Sequence, residues 1–147
     1  MTRAERAEAA FRDGDCCSEA VFTAFAADLG LDEGTARRIA TAFCGGVGHL
    51  GELCGAFSGA CMAIGLARGR AEPGDVPRKE ETFHLVRRLE ERFREEHGAV
   101  RCRDLLGYDI GDPGDHERIV EAGLFETRCP GYVTFAVRLV EELLEID

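Results

Sequence analysis

The chain has 147 residues, 45% of them hydrophobic and 31% charged, which suits one folded domain with a substantial core and excludes a disordered chain. Its formal net charge of -10 excludes a general nucleic-acid binder, because no broad basic face exists to neutralise phosphates. The amino-terminal MTRAERAEAAFRDGD has neither an apolar core of signal-peptide length nor paired arginines, so a cytoplasmic protein is expected. In that compartment seven cysteines argue against a stable disulfide framework, and their odd number leaves one over. Metal ligand, redox thiol and buried filler are the readings left open.

Taken in order, Thr2 to Arg12 is alanine-rich and polar, a short first helix closed by Gly14. Asp15 or Cys16 caps a second helix from Cys17 to Leu29, with Val21, Phe22 and Phe25 facing inward and Gly30 ending it. Asp32 is the expected N-cap of a third helix through Phe43, in which Ala36, Ile39, Ala40 and Phe43 recur at helical spacing. A glycine-rich loop follows, then a central helix from about Glu52 to Leu66. Gly55, Ala56, Gly59, Ala60 and Ala63 give that helix a side with almost no bulk, which lets another helix approach closely. Its apolar run, Leu53 to Ala67, is shorter than the roughly twenty residues that span a bilayer, so it reads as a core helix and no membrane span is expected.

Residues 69–78, GRAEPGDVPR, read as a surface connection. Lys79 to His97 is the clearest amphipathic helix, with Phe83, Val86, Leu89 and Phe93 on one face and a solvated run of Glu and Arg on the other. Gly98 stops it. A short helix spans Cys102 to Leu106, the turn-rich GYDIGDPGD comes next, residues 115–124 form another helix, and Cys129-Pro130 opens the last one. Nothing alternates with period two. The expected fold is therefore all-α, a single-domain bundle of about six to seven helices with a glycine-rich loop before the small-faced central helix.

Cys17, Cys54, Cys102 and Cys129 fall at predicted helix starts, where unpaired N–H groups and a partial positive charge favour a thiolate, the form that binds metal or attacks a disulfide. They are 37, 48 and 27 residues apart, so no local CxxC knuckle exists and any shared site must be assembled by the tertiary fold. Cys17-Ser18-Glu19-Ala20-Val21, Cys54-Gly55-Ala56-Phe57-Ser58-Gly59, Cys102-Arg103-Asp104-Leu105-Leu106-Gly107 and Cys129-Pro130 together resemble the four-cysteine pattern of the C_GCAxxG_C_C family, described as redox-active. The resemblance runs over roughly residues 8–145. It implies a small helical protein with these four cysteines as its functional centre. It also implies likeness to the iron–sulfur-bearing part of split-Soret cytochromes, which favours a cluster over a bare dithiol. The chain has no CxxCH, so no c-type haem is expected.

Three cysteines stand outside the pattern. Cys61, followed by Met62 and Ala63 in the core helix, reads as packing, whereas Cys44 could reach a site built around Cys54, and Cys16 could replace its neighbour Cys17 as ligand or redox partner. His49, in the glycine loop, is either a further ligand or proton carrier, or an imidazole that satisfies loop carbonyls. His84, His97 and His116 sit among charged residues and are expected in solvent. Gly46-Val47-Gly48-His49-Leu50-Gly51 formally matches GxGxxG but follows a helix rather than a strand, so it is no dinucleotide fingerprint. Its glycines are better explained by backbone N–H groups approaching an anion or cluster sulfur.

These readings lead to an iron–sulfur cluster, of unassigned type, on Cys17, Cys54, Cys102 and Cys129, carrying electrons to a redox partner protein. The alternatives are a cofactor-free thiol–disulfide protein and a structural zinc module. A homodimer is permitted by the small-faced helix but not required. No catalytic acid–base pair can be named.

Overall fold

A computed structural model describes residues 1–147. It is all-helical: α1 (Arg3–Arg12), α2 (Cys17–Ala26), α3 (Glu33–Thr41), α4 (Gly55–Arg68), α5 (Val76–His97), α6 (Cys102–Leu106), α7 (Pro113–Glu121), α8 (Leu124–Thr127) and α9 (Cys129–Leu144). α6 and α8 are only five and four residues long, which leaves seven substantial helices. The segment expected as one helix over 115–124 is α7 followed by the turn of α8, divided at Gly123, whose φ of 67° is left-handed.

The small face of α4 is where the bundle closes. Gly55 and Gly59 lie directly on α2: a β-carbon on Gly55 would stand 2.8 Å from the Ser18 backbone nitrogen, and one on Gly59 would stand 2.8 Å from the Ser18 carbonyl oxygen. Only glycine permits that approach. α9 lays Val133, Ala136, Val137 and Val140, all fully buried, into the same core. α5 adds Leu85, Leu89 and Phe93.

Several boundaries and faces differ from the sequence expectation, for local reasons. α4 starts at Gly55 rather than Glu52 because residues 52–54 are extended and pair with 100–102: Cys54 N–H donates to the Val100 carbonyl at 2.8 Å, and Cys102 N–H to the Glu52 carbonyl at 2.6 Å. The Leu53–Arg101 bridge is antiparallel and isolated. α5 begins at Val76, earlier than Lys79, because the Asp75 carboxylate accepts from Arg78 N–H and Pro77 fits the first turn. Its inward stripe runs through Leu85 instead of Phe83, which is 45% exposed. α3 ends at Thr41, and Ile39 points out at 47% exposure.

His97 and His116 also depart from expectation. His97 sits against Phe93, Tyr132 and Phe135 with ring centroids 4.7–4.9 Å apart. Burial holds its pKa below the usual histidine value. His116 is half-buried and stacks on His49 at 6.1 Å. His84 is exposed as expected. No helix is long and apolar enough to cross a membrane.

Candidate functional site

Between α3 and the extended segment the chain makes a left-handed turn. Gly45, Gly46, Val47, Gly48 and His49 all have φ between 56° and 74°. Glycine adopts this conformation freely, whereas Val47 and His49 each bear a cost on the order of 1 kcal/mol. The turn is held by Val47 N–H to Phe43 O, Gly48 N–H to Ala42 O, His49 N–H to Cys44 O and Glu52 N–H to Gly46 O. The N–H groups of Gly45 and Gly46 take no part in this network. Gly46 is also packed so tightly that a β-carbon there would be 2.8 Å from Cys102 Cβ.

This turn forms one wall of a cavity of about 310 Å³. Cys17, Cys54, Cys102 and Cys129 all line it, as do Cys16, Cys44, Gly45, Gly46 and His49. Each thiol arrives from a different segment. Cys17 opens α2, Cys54 is the N-cap of α4, Cys102 opens α6 and Cys129 opens α9. Contact of α2 with Gly55 brings Cys17 to Cys54, since a β-carbon on Gly55 would be 3.0 Å from Cys17 Cβ. The paired segments 52–54 and 100–102 bring Cys54 to Cys102. Arg128 and Tyr132 both donate to the Leu105 carbonyl, at 2.9 and 3.3 Å, and so tie α9 to α6 and Cys129 to Cys102.

The cavity lies at a seam. Cys54 belongs to the main hydrophobic core, Cys102 and Cys129 to a smaller one with Leu106, Ile110, Ile119 and Leu124, and Cys17 packs against both. Cys61 packs on the main core and does not line the cavity. That agrees with its reading as packing.

Burial dominates the thiols' electrostatics. It pushes Cys54 up to about 12, although the Ala56 and Phe57 N–H groups at the start of α4 pull the other way. It pushes Cys102 up to about 11, with Cys129 adding to the rise and Arg103 offsetting part of it. The expected low-pKa thiolate at every helix start is thus overturned at these two positions: desolvation of an anion outweighs the partial charge of a helix end. Arg101, next to Cys102 in sequence, forms a two-point pair with Glu52 at 3.0 and 2.9 Å. Cys17 and Cys129 behave differently because they share a hydrogen bond, which lowers Cys129 and raises Cys17 well above the ordinary value.

Cys16 and Cys44, expected as additional ligands, are joined by a disulfide. While it holds, neither sulfur is a thiolate donor, and Cys16 does not stand in for Cys17 as a ligand. The other five cysteines are free. His49 reaches the cavity wall, and His116 joins it there together with Phe11, Ile110 and Phe125. Sequence gave no signal for His116, which is flanked by charged residues and is turned inward by the fold of α7.

The arrangement defines an all-helical protein centred on cysteines, with four free thiols converging on one largely apolar cavity. The chain belongs to the family described as "Putative redox-active protein (C_GCAxxG_C_C)", which matches residues 15–143. No curated protein and no solved structure matches it.

Proposed function

We propose that Cys17, Cys54, Cys102 and Cys129 hold an iron–sulfur cluster through which this redox-family protein passes single electrons to a partner protein. The observation that carries the reading is the convergence of four free thiols, from four separate segments, on one cavity. Cys16, Glu19 and Cys44 are the only three His, Cys, Asp or Glu side chains whose ligand atoms all lie within 4.8 Å of one another. No three of the four thiols are that close. A single zinc ion with sulfurs at 2.3 Å would draw them to about 3.8 Å from each other, so the wider spacing favours a group of several metal atoms.

The donor set fits such a group, since four cysteine thiolates are its usual complement. The cluster would supply reversible one-electron chemistry. The chain's own residues do the rest. Leu105, Leu106, Ile110 and Phe125 keep water from the sulfurs. Gly45 and Gly46 offer two backbone N–H groups in the cavity wall, donors of the kind that tune a sulfur-bound centre. The high pKa of Cys54 and Cys102 means that metal must displace their protons, so loading improves as pH rises.

The test is iron and acid-labile sulfide analysis with a visible spectrum on protein expressed with iron and purified without oxygen. Brown protein with iron and sulfide in similar amounts, both lost in Cys54→Ser, is the expected result. Folded, iron-free wild-type protein would sink the reading. A second reading, thiol–disulfide exchange by Cys17 and Cys129, is favoured by the hydrogen bond between them, which lowers the pKa of Cys129. It predicts loss of two thiols on mild oxidation with no change in metal content.

A further inference from the structure

The cavity wall contains two sulfurs outside the four-cysteine set. The disulfide joins Cys16, the N-cap of α2, to Cys44, at the start of the left-handed turn, with Cα atoms 5.7 Å apart. Both residues line the cavity and both are only partly buried. Cys16 directly precedes Cys17, and Cys44 directly precedes the two glycines with unengaged N–H groups. The disulfide therefore borders the four thiols and is also open to water.

The groups around it can serve an opened pair as well as a closed one. Ser18 is fully buried and donates its hydroxyl proton to the Ala40 carbonyl at 2.9 Å. Its oxygen is 3.3 Å from Cys16 Sγ and 3.9 Å from Cys44 Sγ. The one hydroxyl proton of Ser18 serves the Ala40 carbonyl or the Cys44 sulfur, and its lone pairs are open to a proton from Cys16 Sγ. A disulfide has no proton to donate to them, whereas a thiol does. The Glu19 carboxylate accepts from Cys16 N–H at 3.0 Å and from the Thr41 hydroxyl at 2.7 Å, and lies within 4.8 Å of both sulfurs. It closes the capping box of α2 and leaves a second acceptor beside the pair.

We infer that Cys16–Cys44 is a second redox centre, a dithiol–disulfide pair opened by electrons from the four-cysteine site across their shared cavity. The inference rests on the cluster reading above. In the step, the S–S bond takes up two electrons, delivered one at a time, and breaks. Each sulfur gains one proton from water at the exposed side, giving two thiols. A cluster held by Cys17, Cys54, Cys102 and Cys129 would supply those electrons singly, the first being replaced from an external one-electron donor protein before the second is delivered. The pair thereby converts two single-electron deliveries into one two-electron product.

The test uses the full chain, iron-loaded and handled without oxygen. Reduced methyl viologen is added, and the state of Cys16 and Cys44 is read by differential alkylation and mass spectrometry. Wild-type protein should open the pair at least about tenfold faster than iron-free Cys54→Ser or Cys102→Ser, each shown to be folded by circular dichroism, while dithiothreitol opens it in all three. Equal rates with and without iron overturn the inference, as does a pair that stays closed while the loaded protein's visible spectrum bleaches, or one already alkylated as free thiols in oxidised protein. Wild-type protein that takes up no iron overturns the cluster reading and the electron route together, and metal analysis alone tells that result from the others. Independently, Ser18→Ala should shift the pair toward the disulfide by roughly two- to tenfold in a glutathione buffer, through loss of the hydrogen bond that a Cys16 thiol donates to Ser18. An unchanged equilibrium removes Ser18 from the assignment.

Discussion

Gly59 lies so close to Ser18 that a β-carbon would stand 2.8 Å from the Ser18 carbonyl oxygen and 3.1 Å from Val21 Cβ. The same helix carries Gly65, around which nothing lies within 4 Å of a built β-carbon. Gly59→Ala must push α2 off α4, an overpacking cost of about 1–3 kcal/mol. Gly65→Ala meets open space and gains up to about 1 kcal/mol from helix propensity. Urea unfolding of both variants checks the contrast, and equal effects would deny that α4 is close-packed on one face only.

Alkaline pH should weaken the metal-free protein. Cys54 and Cys61 are held at about 12 and Cys102 at about 11, against 9.0 for an unperturbed thiol. Their folded pKa values are raised, so the stability they contribute is complete below pH 9. It is then lost as pH rises toward 11 and 12, because the unfolded chain sheds these protons first. Denaturation midpoints between pH 8 and 11 should fall steadily, and Cys61→Ala should flatten part of that slope.

At the acid end, His97 works in the opposite sense. Its pKa is lowered by burial, and its Nε2 is buried without a hydrogen-bond partner among Phe93, Tyr132 and Phe135. The stability it contributes is present above the unperturbed value of 6.5 and is lost as pH falls through the lowered folded value. His97→Phe, which keeps the aromatic contacts and removes the titrating group, should resist unfolding at pH 5 better than wild type while matching it more closely at pH 8.

Arg3 fastens the two ends of the chain. Its guanidinium reaches Asp28 at 2.7 Å, Glu141 at 2.6 Å and the Asp147 carbonyl at 2.7 Å, and lies over the Phe25 ring at 4.8 Å. The side chain is only 9% exposed. Arg3→Met keeps much of the packing but leaves Glu141 unpaired, and should cost about 1–3 kcal/mol in chemical denaturation. A change within a few tenths would mean that these contacts are replaced by water at no loss.

Cys61 provides the control for the site. It lies on α4 with Cys54 but outside the cavity. Cys61→Ala should therefore keep the iron and sulfide content of wild-type protein, where Cys54→Ser and Cys129→Ser lose it. Parallel loss in all four-cysteine-site variants and Cys61→Ala would point to a general folding defect.

The helices were legible because apolar periodicity, N-caps and glycine stops are local. Asp32 and Gly98 mark their helix ends in the sequence much as they do in the structure. The misplaced starts at Glu52 and Lys79 came from partners distant in sequence or from a cap inside an assumed loop. Phe83 was placed inward by spacing alone, yet the bundle turns Leu85 there instead. Periodicity defines a stripe, and which edge of the stripe is covered depends on the neighbouring helix.

By itself the sequence determined an all-helical chain, four cysteines at helix starts and a glycine-lined face that admits a close neighbour. Those properties follow from backbone preferences over a few residues. Only the tertiary structure decided that the four thiols line one cavity, that Cys16 pairs with Cys44, and that His116 faces inward. It also decided the protonation of the thiols, because desolvation depends on what packs around a sulfur and local helix position does not reveal it. Sulfurs that are 27 to 48 residues apart in sequence come together only through long-range contacts: Gly55 against Ser18, Glu52 with Cys102, and Tyr132 with Leu105.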